Sequence, residues 1–255
     1  MKVLTLPQKS ATIVALCVAL QIATLALLVR HEGSSFWVWL LAFFAGGFIT
    51  DLISGLAHFG FDYVWSPMVP VLGPIAVEFR EHHEDPTLDP SALLTNFTKA
   101  AYGATPLSLG ALIATFLAPD GRATYLLDAI LFCTSVWMLG FHQIHSYAHM
   151  GSTLGPEEFN RAVAKIGDLP SIALQRAAFR RLFDTVGIPP VVRLLQKAGL
   201  FLRPEVHWRH HLEFESDFSS VNGWSDPLTN WIYGPIARQR KATRVAHSAV
   251  VGGDM

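Results

Sequence analysis

Polar and apolar positions along this chain fall into long blocks rather than short periods. Three stretches carry no charge at all: Ala11–Val29, Gly33–Thr50 and Ala100–Pro119. A fourth, Ala123–Phe141, contains only Asp128. A bilayer core of about 30 Å is crossed by roughly 20 apolar residues in a helix, so the pattern predicts four membrane-spanning helices, near 11–29, 36–58, 103–119 and 124–142. The first pair is joined by Arg30–Ser35 and the last pair by the Asp120-Gly121-Arg122 turn. A polar segment, about 65–100, separates the pairs. After residue 142 the chain reads as amphipathic helices, Phe159–Val186 and Ile188–Leu202, which suit either the membrane interface or packing in the cytoplasm.

Composition supports this. Only 15% of the 255 residues are charged and 51% are hydrophobic, against about 25% charged in soluble domains. The formal net charge of −1 argues against a nucleic-acid partner, which demands a basic excess. Cys17 and Cys133 lie inside apolar stretches, so a disulfide framework is not expected. The first apolar run is longer than the about 7–15 residues of a signal-peptide core, and is read as a retained helix. Lysine and arginine are distributed 17 to 2 between the two sides of a four-span arrangement. By the positive-inside rule both termini and the 65–100 segment face the cytoplasm. The chain is read as one membrane-embedded domain, 1–255, with a basic tail from 236.

Histidine carries the chemistry. Nine of eleven histidines fall in four groups: His58; His82 and His83; His142, His145 and His149; His207, His210 and His211. Residues three, four and seven apart share a helix face, so the last two groups form stripes, and Asp51, Gly55, His58 and Asp62 line one side of span two. His58 lies roughly 30 Å along its helix from Trp37, at the cytoplasmic border. The charge count, made without histidines, places all four groups on that face. Neutral imidazole suits iron, zinc, copper and nickel, and eight or nine histidines suffice for two ions. Asp51, Asp62, Glu81 and Asp85, with Glu213, Glu215 and Asp217, either orient the rings through the second N–H or ligate directly. There is no HExxH zinc-protease motif, no G-x-S-x-G elbow, no CxxCH haem motif and no iron–sulfur cysteine set. Asn96-Phe97-Thr98 is a glycosylation sequon that this topology keeps from the lumen. A metal transporter would carry ionisable groups through mid-membrane, and here only Asp51 approaches it.

Several motifs occur in a fixed order: Gly55-Leu56-Ala57-His58-Phe59-x-x-Asp62, Phe79-Arg80-Glu81-His82-His83-x-Asp85-Pro86, Gln143-Ile144-His145-x-x-x-His149 and Leu194-Leu195-Gln196. They are followed by His207-x-x-His210-His211 and Asn222-Gly223-Trp224. Over about 50–235 the chain resembles the lipid desaturase family of plasmanylethanolamine desaturases, bacterial CarF proteins and plant phosphatidylglycerol palmitate desaturases. That resemblance implies an all-α integral membrane oxidoreductase with a cytoplasmic histidine-rich cap, in a bacterial inner membrane or the endoplasmic reticulum. It further implies that His58, His82, His83, His145, His149, His207, His210 and His211 bind two iron ions, with His142 as a ninth candidate. The co-substrate would be O2, the substrate a membrane phospholipid, and the electron donor an external protein of cytochrome b5 or ferredoxin type. The plasmalogen-forming branch makes a vinyl ether double bond; the alternative is an acyl-lipid desaturase or hydroxylase with the same centre. This chain departs from the family in having His142 before Gln143-Ile144-His145, Leu88-Asp89-Pro90-Ser91 after Asp85-Pro86, and a longer interval before His207.

Overall fold

The computed structural model describes residues 6–31, 34–70, 72–84, 88–117, 121–149, 156–171, 173–175, 177–178, 181 and 188–252. The helices are α1 (Leu6–Leu28), α2 (Phe36–Phe59), α3 (Leu72–Glu84), α4 (Leu93–Leu117), α5 (Arg122–Ala148), α6 (Pro156–Gly167), α7 (Pro190–Lys197), α8 (Pro204–Glu213) and α9 (Asp226–Gly252). A π-helical turn, Gly60–Val64, continues α2. There is no strand among the described residues.

Four stretches are long and apolar enough to cross a membrane: Ser10–Leu28, Phe36–Val64, Leu93–Leu117 and Arg122–Ala148. The third begins ten residues before the 103 expected from charge alone, because Lys99 does not interrupt it. The polar side chains of its first turns are satisfied locally: Thr98 Oγ1 donates to the Leu94 carbonyl at 2.6 Å, and the Asn96 amide donates to the Asp89 carbonyl and Gln143 Oε1, both at 3.0 Å. The sequon asparagine is therefore buried and engaged. Beyond residue 142 the helices are shorter than the pattern suggests. α6 ends at Gly167, just before Asp168-Leu169-Pro170, and α7 stops ahead of Gly199, whose φ of 71° ends a helix cheaply only for glycine.

The chain forms two compact units interleaved in sequence, one of 1–51 with 89–147 and one of 52–88 with 148–255. In the first, α1 packs on α4, and Cys17, Ala101, Ala104, Met138 and Leu139 form one buried cluster. Both cysteines are buried and free. Lipid tails are as apolar as leucine, so close backbone approach and interhelical hydrogen bonds must supply the specificity. Gln21 Nε2 donates to the Ser135 carbonyl at 3.0 Å, Thr50 Oγ1 to the Thr134 carbonyl at 3.1 Å, and Trp137 Nε1 to the Phe43 carbonyl at 3.0 Å.

In the second unit α3 packs on the π-helical turn. Arg80 fastens them together, donating to the carbonyls of Phe61 (3.2 Å) and Trp65 (2.8 Å). Phe59, Tyr63, Phe218 and Ala237 form its buried aromatic cluster. Gly46, in the first unit, marks the tightest helix contact there. A Cβ at this position would stand 2.7 Å from the Thr134 backbone N and 2.8 Å from the Cys133 carbonyl carbon. Backbone cannot yield as a side chain can, so Gly46→Ala is expected to destabilise by about 1–3 kcal/mol. Gly110→Ala, where a Cβ meets nothing within 4 Å, should be neutral or gain up to about 1 kcal/mol from helix propensity. Thermal unfolding of the detergent-solubilised protein separates the two.

Candidate metal centre

The site grows from three local features of the second unit. On α3, the adjacent His82 and His83 project at about 100° to one another, so one helix serves two neighbouring places. On α8, His207 and His211 share a face while His210 points beside it. The third feature is the passage from α2 into the π-helical turn, where His58 and Asp62 stand four residues apart. Single π turns of this kind recur at functional sites because they re-aim side chains.

These elements bring together two groups of ligand atoms, His82, His149, His207 and His211 in one, and His58, Asp62, His83 and His210 in the other. In the first, Nε2 of His149 lies 3.2 Å from Nε2 of His82 and 2.9 Å from Nε2 of His207, which lies 3.1 Å from Nε2 of His211. In the second, Nε2 of His58 lies 3.1 Å from that of His210 and 3.4 Å from that of His83. Asp62 Oδ1 stands 3.1 Å from His83 Nε2, and its Oδ2 3.4 Å from His210 Nε2 and 3.7 Å from His58 Nε2. The groups adjoin, with the rings of His83 and His211 centred 4.8 Å apart.

These distances decide between hydrogen bonding and coordination. An Nε2 carries either a proton or a lone pair, so a chain of Nε2-to-Nε2 contacts satisfies its members poorly. A cation at the common centre takes a lone pair from each. With metal–nitrogen bonds of about 2.0–2.1 Å, neighbouring ligands at 90–109° would sit roughly 2.8–3.4 Å apart, the range the Nε2 atoms already occupy. Imidazole with carboxylate and no thiolate is a donor set for iron, zinc, copper or nickel. The residues therefore fit two metal ions.

The surrounding chain holds two of the rings, those of His210 and His58, by their other nitrogen, as ligating histidines are usually held. His210 Nδ1 donates to the Ser216 carbonyl at 2.9 Å, and His58 Nδ1 stands 3.3 Å from Ser220 Oγ. Both serines belong to the segment between α8 and α9. That segment is anchored by Asp217, whose carboxylate pairs with Arg209 and accepts from Asn230 Nδ2 at 2.9 Å. The roles of Ser216 and Ser220 have no signal in the residue spacing, because they depend on how the loop places a carbonyl and a hydroxyl.

Of the residues singled out in the sequence, His58, His82, His83, His149, His207, His210 and His211 stand in the two groups. Asp62 stands at ligand distance rather than behind a ring. His145, buried one turn before His149, belongs to neither group, and nor do His142 and the buried Asp51. Glu81 is exposed on α3 and is in neither group. Asp85 lies outside the described residues.

Burial holds the imidazoles of His83 and His211 below the ordinary histidine value of 6.5, and the neighbouring histidines add to this. Asp62 opposes the shift at His83. Such rings stay neutral, with a lone pair available, at a pH where exposed imidazole is half protonated. Bound metal is accordingly expected to persist as pH falls through 6.5, measured by metal retained after desalting at stepped pH. In metal-free protein the unfolded chain takes up protons below 6.5 that the folded rings refuse. This contribution to stability is complete above about 6.5 and is lost progressively below it, so the metal-free melting temperature should fall from pH 7 to pH 5.

Comparison with known proteins agrees with this geometry. A family model described as the lipid desaturase domain matches residues 47–177, which include His58, His82, His83 and His149. Plasmanylethanolamine desaturase of Myxococcus xanthus is 25% identical over 221 residues, covering 84% of this chain and 65% of that protein. Plasmanylethanolamine desaturase 1 of Mus musculus is 30% identical over 136 residues, covering 52% of this chain and 49% of that protein. The matches thus span about half to just under two thirds of the length of these relatives. No solved structure matches. With a domain match across half its length and a histidine cluster within and beyond that match, the chain belongs to the lipid desaturase family.

Proposed function

We propose that this protein is an O2-dependent membrane lipid desaturase with a two-iron centre, acting on an alkyl ether phospholipid of the plasmanylethanolamine type. The observation that carries the reading is the pair of adjoining ligand groups, seven imidazoles and one carboxylate on one unit of a membrane protein. The names of the two relatives support the choice of lipid. In this reading His82, His149, His207 and His211 hold one iron, and His58, Asp62, His83 and His210 hold the other. Two ferrous ions in such a setting supply the power to reduce O2 and oxidise an unactivated C–H bond. Overall, –CH2–CH2– with O2, two electrons and two protons gives –CH=CH– and two waters.

The chain's own residues contribute position and exclusion. His58, His207 and His210 are fully buried, and a dry, fixed site favours oxidation of the bound chain over wasteful reduction of O2. Ser216, Ser220 and Asp217 keep the rings of His58 and His210 aimed. With no haem or iron–sulfur motif in the sequence, both electrons come from an external donor of cytochrome b5 or ferredoxin type. Such a donor is acidic and suits the basic residues of the polar face. Both termini are on the cytoplasmic side, in a bacterial inner membrane or the endoplasmic reticulum.

The test is lipid mass spectrometry in a plasmalogen-free host supplied with an alkyl ether lipid and a competent donor, under air. Wild type is expected to yield acid-labile vinyl ether lipid, and His83→Ala and His210→Ala none, at equal protein level. A fatty acyl product two mass units lighter, with ether lipids unchanged, would overturn the substrate. No histidine-dependent change in either lipid class would overturn catalysis.

A further inference from the structure

The first half of α9 presents a continuous apolar surface. Between residues 227 and 237 every exposed residue is apolar: Pro227, Leu228, Trp231, Ile232, Pro235 and Ile236. They recur in pairs every four residues and so form one stripe. Trp231 alone is 76% exposed. At residue 238 the character changes abruptly, with Arg238, Gln239 and Arg240 exposed and Lys241 and Arg244 following in the sequence. An apolar stripe this continuous does not face water without cause.

Its position in the second unit identifies the cause. α9 runs alongside the end of span two in the same direction, turn against turn. Thr229 lies against Gly55, where a Cβ would meet its Cγ2 at 3.4 Å. Tyr233 stacks on Phe59 with ring centroids 4.4 Å apart. Arg240 donates to the Tyr63 carbonyl. Measured from Trp37, Gly55 lies roughly 27 Å and Phe59 roughly 33 Å along the helix at 1.5 Å per residue. That is where a hydrocarbon core of about 30 Å ends. Ile53 and Leu56 are apolar and exposed on the same stretch of span two.

A second observation agrees. The segment leading into α9 is not helical, yet Phe218, Ser219, Ser220, Val221 and Ser225 are almost completely buried. Its backbone is paired inside the protein: Ser219 N–H donates to Asp226 Oδ1 at 3.1 Å, Ser220 N–H to Ser54 Oγ at 3.0 Å, and Leu202 N–H to the Val221 carbonyl at 2.8 Å. Irregular backbone at membrane depth is tolerated only when buried and satisfied in this way.

We infer that residues 227–237 are a membrane-embedded half-helix, its apolar stripe against the acyl chains of the leaflet that borders the histidine centre. Trp231 lies about two turns before the basic residues that follow the stripe. The basic run from Arg238 meets anionic headgroups, with each arginine or lysine near the surface contributing about 1 kcal/mol. The occupant of the stripe is lipid rather than a protein, since the adjoining end of span two also exposes apolar side chains and the stripe ends in headgroup-complementary charge. The inference rests on the membrane character of the chain and not on its reaction.

The test places single spin labels on cysteines introduced at Leu228, Trp231, Ile236 and Gln239. The full chain is reconstituted in vesicles containing phosphatidylglycerol, and metal content confirms the fold of each variant. Collision with O2 is expected to exceed collision with aqueous nickel chelate at 228 and 231. The ratio should decline through 236 and reverse at 239. Equal water access at 231 and 239 would overturn the inference. So would protection of 228 and 231 from both reagents, the mark of a protein partner or a second copy.

Discussion

The histidine cluster of the second unit answers to one constraint: several nitrogen lone pairs and a carboxylate converge out of water without neutralising one another. Charged imidazoles at such separations would repel strongly at the low dielectric of the site. Burial therefore works with the site, keeping rings such as His83 and His211 neutral. What remains is to stop the rings turning to find other partners. The Ser216 carbonyl and Ser220 hydroxyl do this at His210 and His58, and Asp217 with Arg209 and Asn230 holds the segment that presents them. The irregular stretch between α8 and α9 is as much part of the cluster as the helices that carry its histidines.

The same stretch explains why part of the site was legible in the sequence and part was not. Helix periodicity turns HxxHH into a stripe on α8, and charge-free runs announce four spans; both are local properties that residue order displays directly. Asp62 was visible as one of several acids near histidine. Its place at ligand distance depends on the π-helical turn, closed by the Trp65 N–H to the Gly60 carbonyl at 2.8 Å, and on Arg80 gripping that turn from α3. Spacing alone gives no sign of a π turn. His145 shows the converse: HxxxH puts two histidines on one helix face, but only His149, just past the end of α5, enters a ligand group. The early start of span three was hidden because Lys99 reads as a boundary, whereas Asn96 and Thr98 make the preceding turns helical.

Placing the centre beside a membrane-embedded stripe gives the two halves of the proposal a common physical basis. Under the proposed function, an acyl or alkyl chain would reach the buried histidine cluster most easily from a leaflet in contact with that unit. The histidine-bearing end of span two packs on the first turns of α9, with Thr229 against Gly55 and Tyr233 stacked on Phe59. The headgroup and ether linkage proposed for the substrate rest on the names of the two relatives.

The most direct measurement is the iron count of the purified, detergent-solubilised protein, loaded anaerobically with 57Fe and followed by Mössbauer spectroscopy. Two irons per chain are expected, with an exchange-coupled diferric spectrum after oxidation, and Asp62→Ala should lower the count while leaving the fold intact by thermal melt. A single uncoupled iron per chain, or binding unchanged when His83 and His211 are both replaced by alanine, would contradict a two-iron centre built from these eight side chains.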